Sequence, residues 1–215
     1  NITQIAIGTA FHKLGSADEN FASETFSQFL ANREIMTSRV QQQYSRLSYP
    51  NSSTIPAHLR GKPYNSENGA VASNTADVLV PAFIAAYTGR DANTIGLSPF
   101  MNLLQSLPNW SVTYDGLGKL PWMRDHFKSI TLTHAYTCKY AIGSYSTYST
   151  WTPAIDLSNK QIGFVRDVTT DMPIPSSAYD ISSVTLTENF SPLIGLNMTM
   201  KNSLSAKFEY RKQRN

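Results

Sequence analysis

The chain has 215 residues, a formal net charge of +3 and one cysteine, with 41% hydrophobic and 15% charged residues. That charged share is well under the roughly 25% usual in soluble domains; Ser, Thr, Asn and Tyr take its place, a balance suited to β-structure with one hydroxyl-rich face and one apolar face. The spread of basic residues leaves no nucleic-acid footprint, Cys138 alone excludes a disulfide framework or a multi-thiolate metal site, and no run of about 18 apolar residues offers a membrane-spanning helix, so any crossing falls to strands.

Residues 1–11 (NITQIAIGTAF) alternate loosely, with Ile5, Ile7 and Phe11 on one face, and predict a strand at once. The chain opens without Met and closes with a strand pattern still running, as expected of a segment of a longer chain. An insert over 12–107 follows. Ala22, Phe26, Phe29, Leu30, Met36, Val40 and Leu47 keep helical spacing, which predicts a helix near 20–47 with Asn20 as its cap. Residues 48–76 are rich in Pro, Gly, Asn and Ser and predict an irregular excursion. VLVPAFIAAYTGRD (78–91) predicts a short buried helix over 78–88, with Pro81 in its first turn and Gly89 at its stop. A buried strand is the alternative there, and Pro81 weighs against it.

From Asn109 the period changes to two. The alternation predicts strands at about 109–115, 128–148, 182–201 and 204–212, with GLGKLPWMRDHF (116–127) as a link, a long loop over 149–181 and a tight turn at Asn202–Ser203. Long and short connections alternate along the chain, as they do where an outer-membrane barrel has long loops outside and short turns on the periplasmic side. Residues 129–148 would extend roughly 65 Å at about 3.3 Å per residue, whereas a bilayer crossing takes about 9–11 tilted residues.

One face of these strands carries Ile130, Leu132, Tyr136, Tyr140, Ile142, Leu196, Met198 and Met200, expected to meet membrane or a partner. The other carries Thr131, Thr133, Thr137, Lys139, Asn197 and Thr199, expected to line a wet lumen. Lys139 in lipid would cost about 2–4 kcal/mol at mid-depth, which favours this phase. Glu188 breaks the apolar face and Pro192 cannot donate a ladder hydrogen bond, so the pair predicts either a bulge that turns Glu188 to water or a weakened stretch where a partner docks. Tyr145, Tyr148 and Trp151 read as an interfacial aromatic girdle.

His134 and Cys138 share a face but lie roughly 13 Å apart on a strand, too far to bind one ion. No nucleophile elbow, P-loop, HExxH or paired-cysteine motif occurs. No catalytic, cofactor-binding or metal-binding residue is therefore expected, nor is the chain expected to be an enzyme.

LPNWSVTYDGLGKLPW, FKSITLTHAY with YAIGSY, and ENFSPLIGLNMTMKNSLSAKFEYRKQRN, together with VLVPAFIAAYTGRD and NFASETFSQFLANRE, resemble the C-terminal part of the SprA/Sov family. These are the giant outer-membrane translocons of the type IX secretion system in Bacteroidetes, linked also to gliding motility. The resemblance covers most of the chain but carries nothing over for 48–70 or 149–181. It implies an all-β fold with a helical insert, an antiparallel transmembrane β-barrel sector from a very large single-chain barrel that exports folded cargo. It further implies an integral outer-membrane location with surface loops and periplasmic turns. The implied partners are a PorV-like shuttle barrel, a periplasmic plug protein, cargo bearing a C-terminal signal, and membrane lipid and lipopolysaccharide; nucleic acid is not among them. A TonB-dependent receptor-like barrel and a secreted β-sandwich with an adhesin-type surface are the alternatives.

Overall fold

The structure, a computed structural model, describes residues 2–3, 9–12, 23–98, 109–154 and 162–215. In chain order its elements are strand β1 (Ile2–Thr3), helices α1 (Glu24–Tyr44) and α2 (Ala76–Thr88), β2 (Trp110–Tyr114), the single-turn α3 (Pro121–Arg124), β3 (Phe127–Thr147), β4 (Thr152–Pro153), β5 (Ile162–Arg166), β6 (Pro173–Ser177), β7 (Tyr179–Met200) and β8 (Ser205–Arg214). The chain is thus mostly antiparallel sheet, with its two longer helices in the insert. It divides into two compact units, one of residues 1–6, 102–141 and 185–215, the other of residues 7–101 and 142–184.

The first unit is built on a five-stranded sheet in the order β1-β3-β7-β8, with β2 also on β3. β1 and β2 follow one another along β3, at Ile2↔Tyr140 and Trp110↔Tyr136, while β8 pairs with β7 from Glu188↔Arg214 to Thr199↔Ser205. Among the described residues this sheet does not close on itself. β3 has 21 residues and β7 has 22, against about 5–6 in an ordinary strand. The turn between β7 and β8 is tight: Ser203 takes φ of 69° and Met200 N–H donates to Leu204 C=O at 2.8 Å. Of the strand expected over 1–11 only Ile2–Thr3 is a described strand; Ile5 and Ile7 lie outside the described residues.

In the second unit α1 starts at Ser23, whose Oγ accepts the Phe26 N–H at 3.1 Å, with Glu24 favourably placed in the first turn. Asn20, expected as the cap, lies outside the described residues. Thr25, Asn32, Met36, Val40 and Tyr44 form its buried stripe, every fourth residue from Asn32 on, and α1 packs on α2. α2 begins at Ala76, earlier than the expected 78, so Pro81 sits inside the helix rather than in its first turn. There it leaves the Asp77 carbonyl without its helical donor. Gly89 ends α2 as expected, at φ of 69°, a left-handed position where a side chain would be strained.

Residues 149–181 are not simply a loop. They hold β4, β5 and β6, a three-stranded sheet in that order. The prolines that suggested a loop, Pro173 and Pro175, lie on β6 at the edge of that sheet, where a missing ladder donor is tolerated. Phe164 of β5 is fully buried among Tyr44, Tyr49 and Tyr64, with ring centroids 5.4, 5.2 and 5.9 Å away. Tyr49 and Tyr64 come from the irregular 48–76 stretch, so this cluster anchors it, together with backbone bonds such as Tyr49 N–H to Lys62 C=O and Tyr64 N–H to Leu47 C=O, each 2.9 Å. The Tyr44 hydroxyl donates to Gly163 C=O at 2.8 Å and accepts the Gly163 N–H at 3.2 Å, tying the end of α1 to β5. Burial pushes that phenol well above its ordinary pKa.

Candidate functional site

Side chains on β2, β3, β7 and β8 alternate between two faces that differ in chemistry. On one, Thr131, Thr133, Thr137, Lys139, Asn197 and Thr199 are all half-buried or exposed, and none is in the core. Lys207, Glu209 and Arg211 of β8 extend this face. Lys207 Nζ lies 2.7 Å and Arg211 Nη2 2.6 Å from the Glu209 carboxylate, and all three side chains reach water, so these pairs add little to stability.

The opposite face has two zones. Val112, Tyr114, Leu132, Ile194, Phe208 and Tyr210 are open to solvent, from 37% at Leu132 to 64% at Phe208. The registers Tyr114↔Leu132, Ile194↔Tyr210 and Leu196↔Phe208 set them in rows across the sheet. Leu196, Met198 and Met200 continue this zone half-buried, and Ile142 is half-buried further along β3. In the second zone Tyr136, Cys138, Tyr140, Leu186, Glu188 and Phe190 are buried. Ile130 is buried as well. The chain itself therefore covers Ile130, Tyr136 and Tyr140, where contact with membrane or a partner was expected. Trp110 stacks on Tyr136 at 4.4 Å and Phe190 meets it at 4.9 Å, which is why an aromatic in mid-strand is enclosed rather than presented.

Glu188 is 1% exposed and is not turned to water. Its Oε1 accepts the Tyr136 hydroxyl at 2.6 Å, and Arg214 Nη2, from the residue directly opposite on β8, lies 3.1 Å from Oε2. A lone buried carboxylate would be costly, and the cation and phenol offset that cost. Arg214 was not singled out in the sequence; its signal is positional, since only the β7–β8 register places it against Glu188.

The expected bulge exists and falls on Pro192. Four steps along β7 from Phe190 to Ile194 match two along β8 from Lys212 to Tyr210, so Ser191, Pro192 and Leu193 loop out. β3 bonds carbonyls in and just after the bulge: His134 Nδ1 bonds Leu193 C=O at 2.7 Å and Thr133 Oγ1 donates to Gly195 C=O at 3.4 Å. His134 is thus a structural partner of the bulge. Gly195 is required by close approach, because a Cβ there would collide with Thr133 Oγ1 and the Pro192 ring. Of the girdle aromatics, Tyr145 and Tyr148 are exposed, and Trp151 is half-buried with its indole N–H donating to Ser176 C=O at 3.1 Å.

The second unit holds a cleft of about 260 Å³ between Phe29 of α1, the first turns of α2, Tyr148 and the start of β7. Asp77 lies behind its wall, 7% exposed, and takes a hydrogen bond from Ser177. Burial, only partly offset by that bond, pushes the Asp77 carboxyl up to about 6. Among the described residues no group of three or more His, Cys, Asp or Glu is arranged to hold a metal ion. No described helix is long and apolar enough to cross a membrane, which says nothing of strands. Comparison with protein-family models and with curated proteins gives no match.

Proposed function

We propose that this chain is a sector of the wall of an outer-membrane β-barrel that conducts folded proteins, of the type IX translocon class. The observation that carries the reading is the exposed apolar zone on one face of a sheet whose strands exceed 20 residues. From Ile194 to Met200 is roughly 20 Å along β7, close to the about 25 Å apolar belt of outer-membrane barrels, and the zone is wider than the scattered apolar residues of soluble surfaces. Hydroxyl and charged side chains occupy the other face, as a water-filled conduit needs. Leu132, Leu196, Met198 and Met200 then meet lipid, Tyr136 and Tyr140 meet protein within the wall, and Thr131, Thr133, Thr137, Lys139, Asn197 and Thr199 face the lumen. No chemistry is assigned to the conduit, so partners supply energy and direction: a PorV-like shuttle barrel, a periplasmic plug and cargo with a C-terminal signal.

Neighbouring cysteines on β8 test this. In outer-membrane vesicles carrying the full chain, a membrane-impermeant maleimide should label Lys207→Cys and leave Phe208→Cys unlabelled until detergent is added. Equal labelling of both before detergent would sink the reading, as would a full chain that stays monomeric in buffer without detergent; the latter would favour the secreted β-sandwich.

A further inference from the structure

Resting on the wall reading above, we propose that the rim of the five-stranded sheet at its tight-turn end, residues 115–128 with the β7–β8 turn, seats in a layer of anionic phospholipid headgroups. The exposed apolar zone has a border there. Along β3 the apolar face runs from Leu132 through Ile130 to Lys128, which is exposed. β7 runs through Met198 and Met200 to an exposed Lys201 at the tight turn, and β2 ends at Tyr114 before a link that carries Lys119 and Arg124. The Lys201 N–H donates to His126 C=O at 3.1 Å, so the turn and the start of β3 stand at one level. Three strands thus pass from apolar to basic residues at the same end of the sheet.

Two features select the occupant. The link folds as a single 3-10 turn (Gly116–Lys119) followed by α3, and leaves Leu120 and Trp122 in the open, Trp122 at 63% exposure. Leu204, just past the turn, is open too. An indole left outside the core beside an apolar belt suits the boundary between acyl chains and headgroups, where its ring is shielded and its N–H stays wet. Charge then chooses the headgroup. Residues 115–128 and 201–204 hold Lys119, Arg124, Lys128 and Lys201 against Asp115 and Asp125, an excess of two positive charges with histidine neutral. All of these side chains are exposed, so the long basic stems can lie along apolar surface while their tips reach phosphate. Free phosphate would satisfy the charges and leave Leu120, Trp122 and Leu204 in water, whereas a lipid answers both.

The test places bimane at Leu120→Cys in the full chain, its native cysteines replaced by serine, in phosphatidylcholine nanodiscs that contain a little spin-labelled lipid. A spin label just below the headgroup should quench this bimane more than one near the acyl chain end, and the order should reverse for bimane at Phe208→Cys. Spin-labelled phosphatidylglycerol should quench at Leu120→Cys about threefold more than spin-labelled phosphatidylcholine, and about 1 M salt should remove that preference. Lys119→Gln, Arg124→Gln, Lys128→Gln and Lys201→Gln combined should remove it as well. Quenching at Phe208→Cys but not at Leu120→Cys would overturn the proposal, giving the rim to water or to a protein, and leave the wall reading intact. Equal quenching by the two lipid classes, or a preference that survives salt or the four substitutions, would likewise overturn it. No quenching at either position would sink the wall reading and the proposal together.

Discussion

Asp77 shows how one side chain reports its surroundings. Its carboxyl, ordinarily at 3.8, is pushed up to about 6 by burial behind the cleft. A raised carboxyl holds its proton more tightly in the folded chain than in the unfolded one. It therefore costs nothing below its unfolded pKa, costs progressively more as pH rises towards about 6, and its full penalty applies above that. A shift of about two units corresponds to roughly 3 kcal/mol at most. Asp77→Asn keeps an acceptor for the Ser177 hydroxyl and removes the charge. It should raise the thermal midpoint of the second unit at about pH 8 and leave it unchanged at about pH 3.5. A gain of equal size at both pH values would show that burial of the charge is not the cause.

At the scale of elements, the β7–β8 pair is held by its ladder and by one buried ion pair, Glu188 with Arg214. Glu188→Met leaves Arg214 without its carboxylate and should cost about 3–5 kcal/mol in detergent-solubilised full chain, whereas Glu188→Met with Arg214→Met should recover most of it. Thermal unfolding reads both variants; a double variant no better than the single one would mean that the pair is not what joins the strands there. Glu188, with Pro192, was legible in the sequence as a break in an apolar alternation, but its fate was not. Turned to water and buried against a cation are both open to a carboxylate near a bulge, and only the cross-strand register selects the second. The insert gave a similar lesson. Helical spacing disclosed α1 and Gly89 disclosed the end of α2, while in the 149–181 stretch β6 was hidden because an edge strand tolerates the prolines that in a central strand would exclude it.

Across the whole molecule, the two-faced sheet predicts where charge is tolerated. Phe208→Lys, placed in the exposed apolar zone, should cost about 2–4 kcal/mol if it lies at mid-membrane and sharply reduce the heat-resistant, outer-membrane-assembled form of the full chain. Ser205→Lys, on the opposite face of the same strand, should assemble normally; equal assembly of the two would argue against lipid contact. By itself the sequence determined the β-rich class, the long strands and their hydroxyl face, because a period of two in local chemistry needs no knowledge of neighbours. Only the tertiary structure decided which part of the apolar face is left open. Tyr136 and Leu132 share that face and look alike as large apolar positions, yet Trp110 and Phe190 enclose one while the other remains exposed. The cleft likewise joins Phe29, Phe83, Tyr148 and Asp180 from four separate stretches of chain, and a site assembled over such sequence distances has no local pattern to betray it.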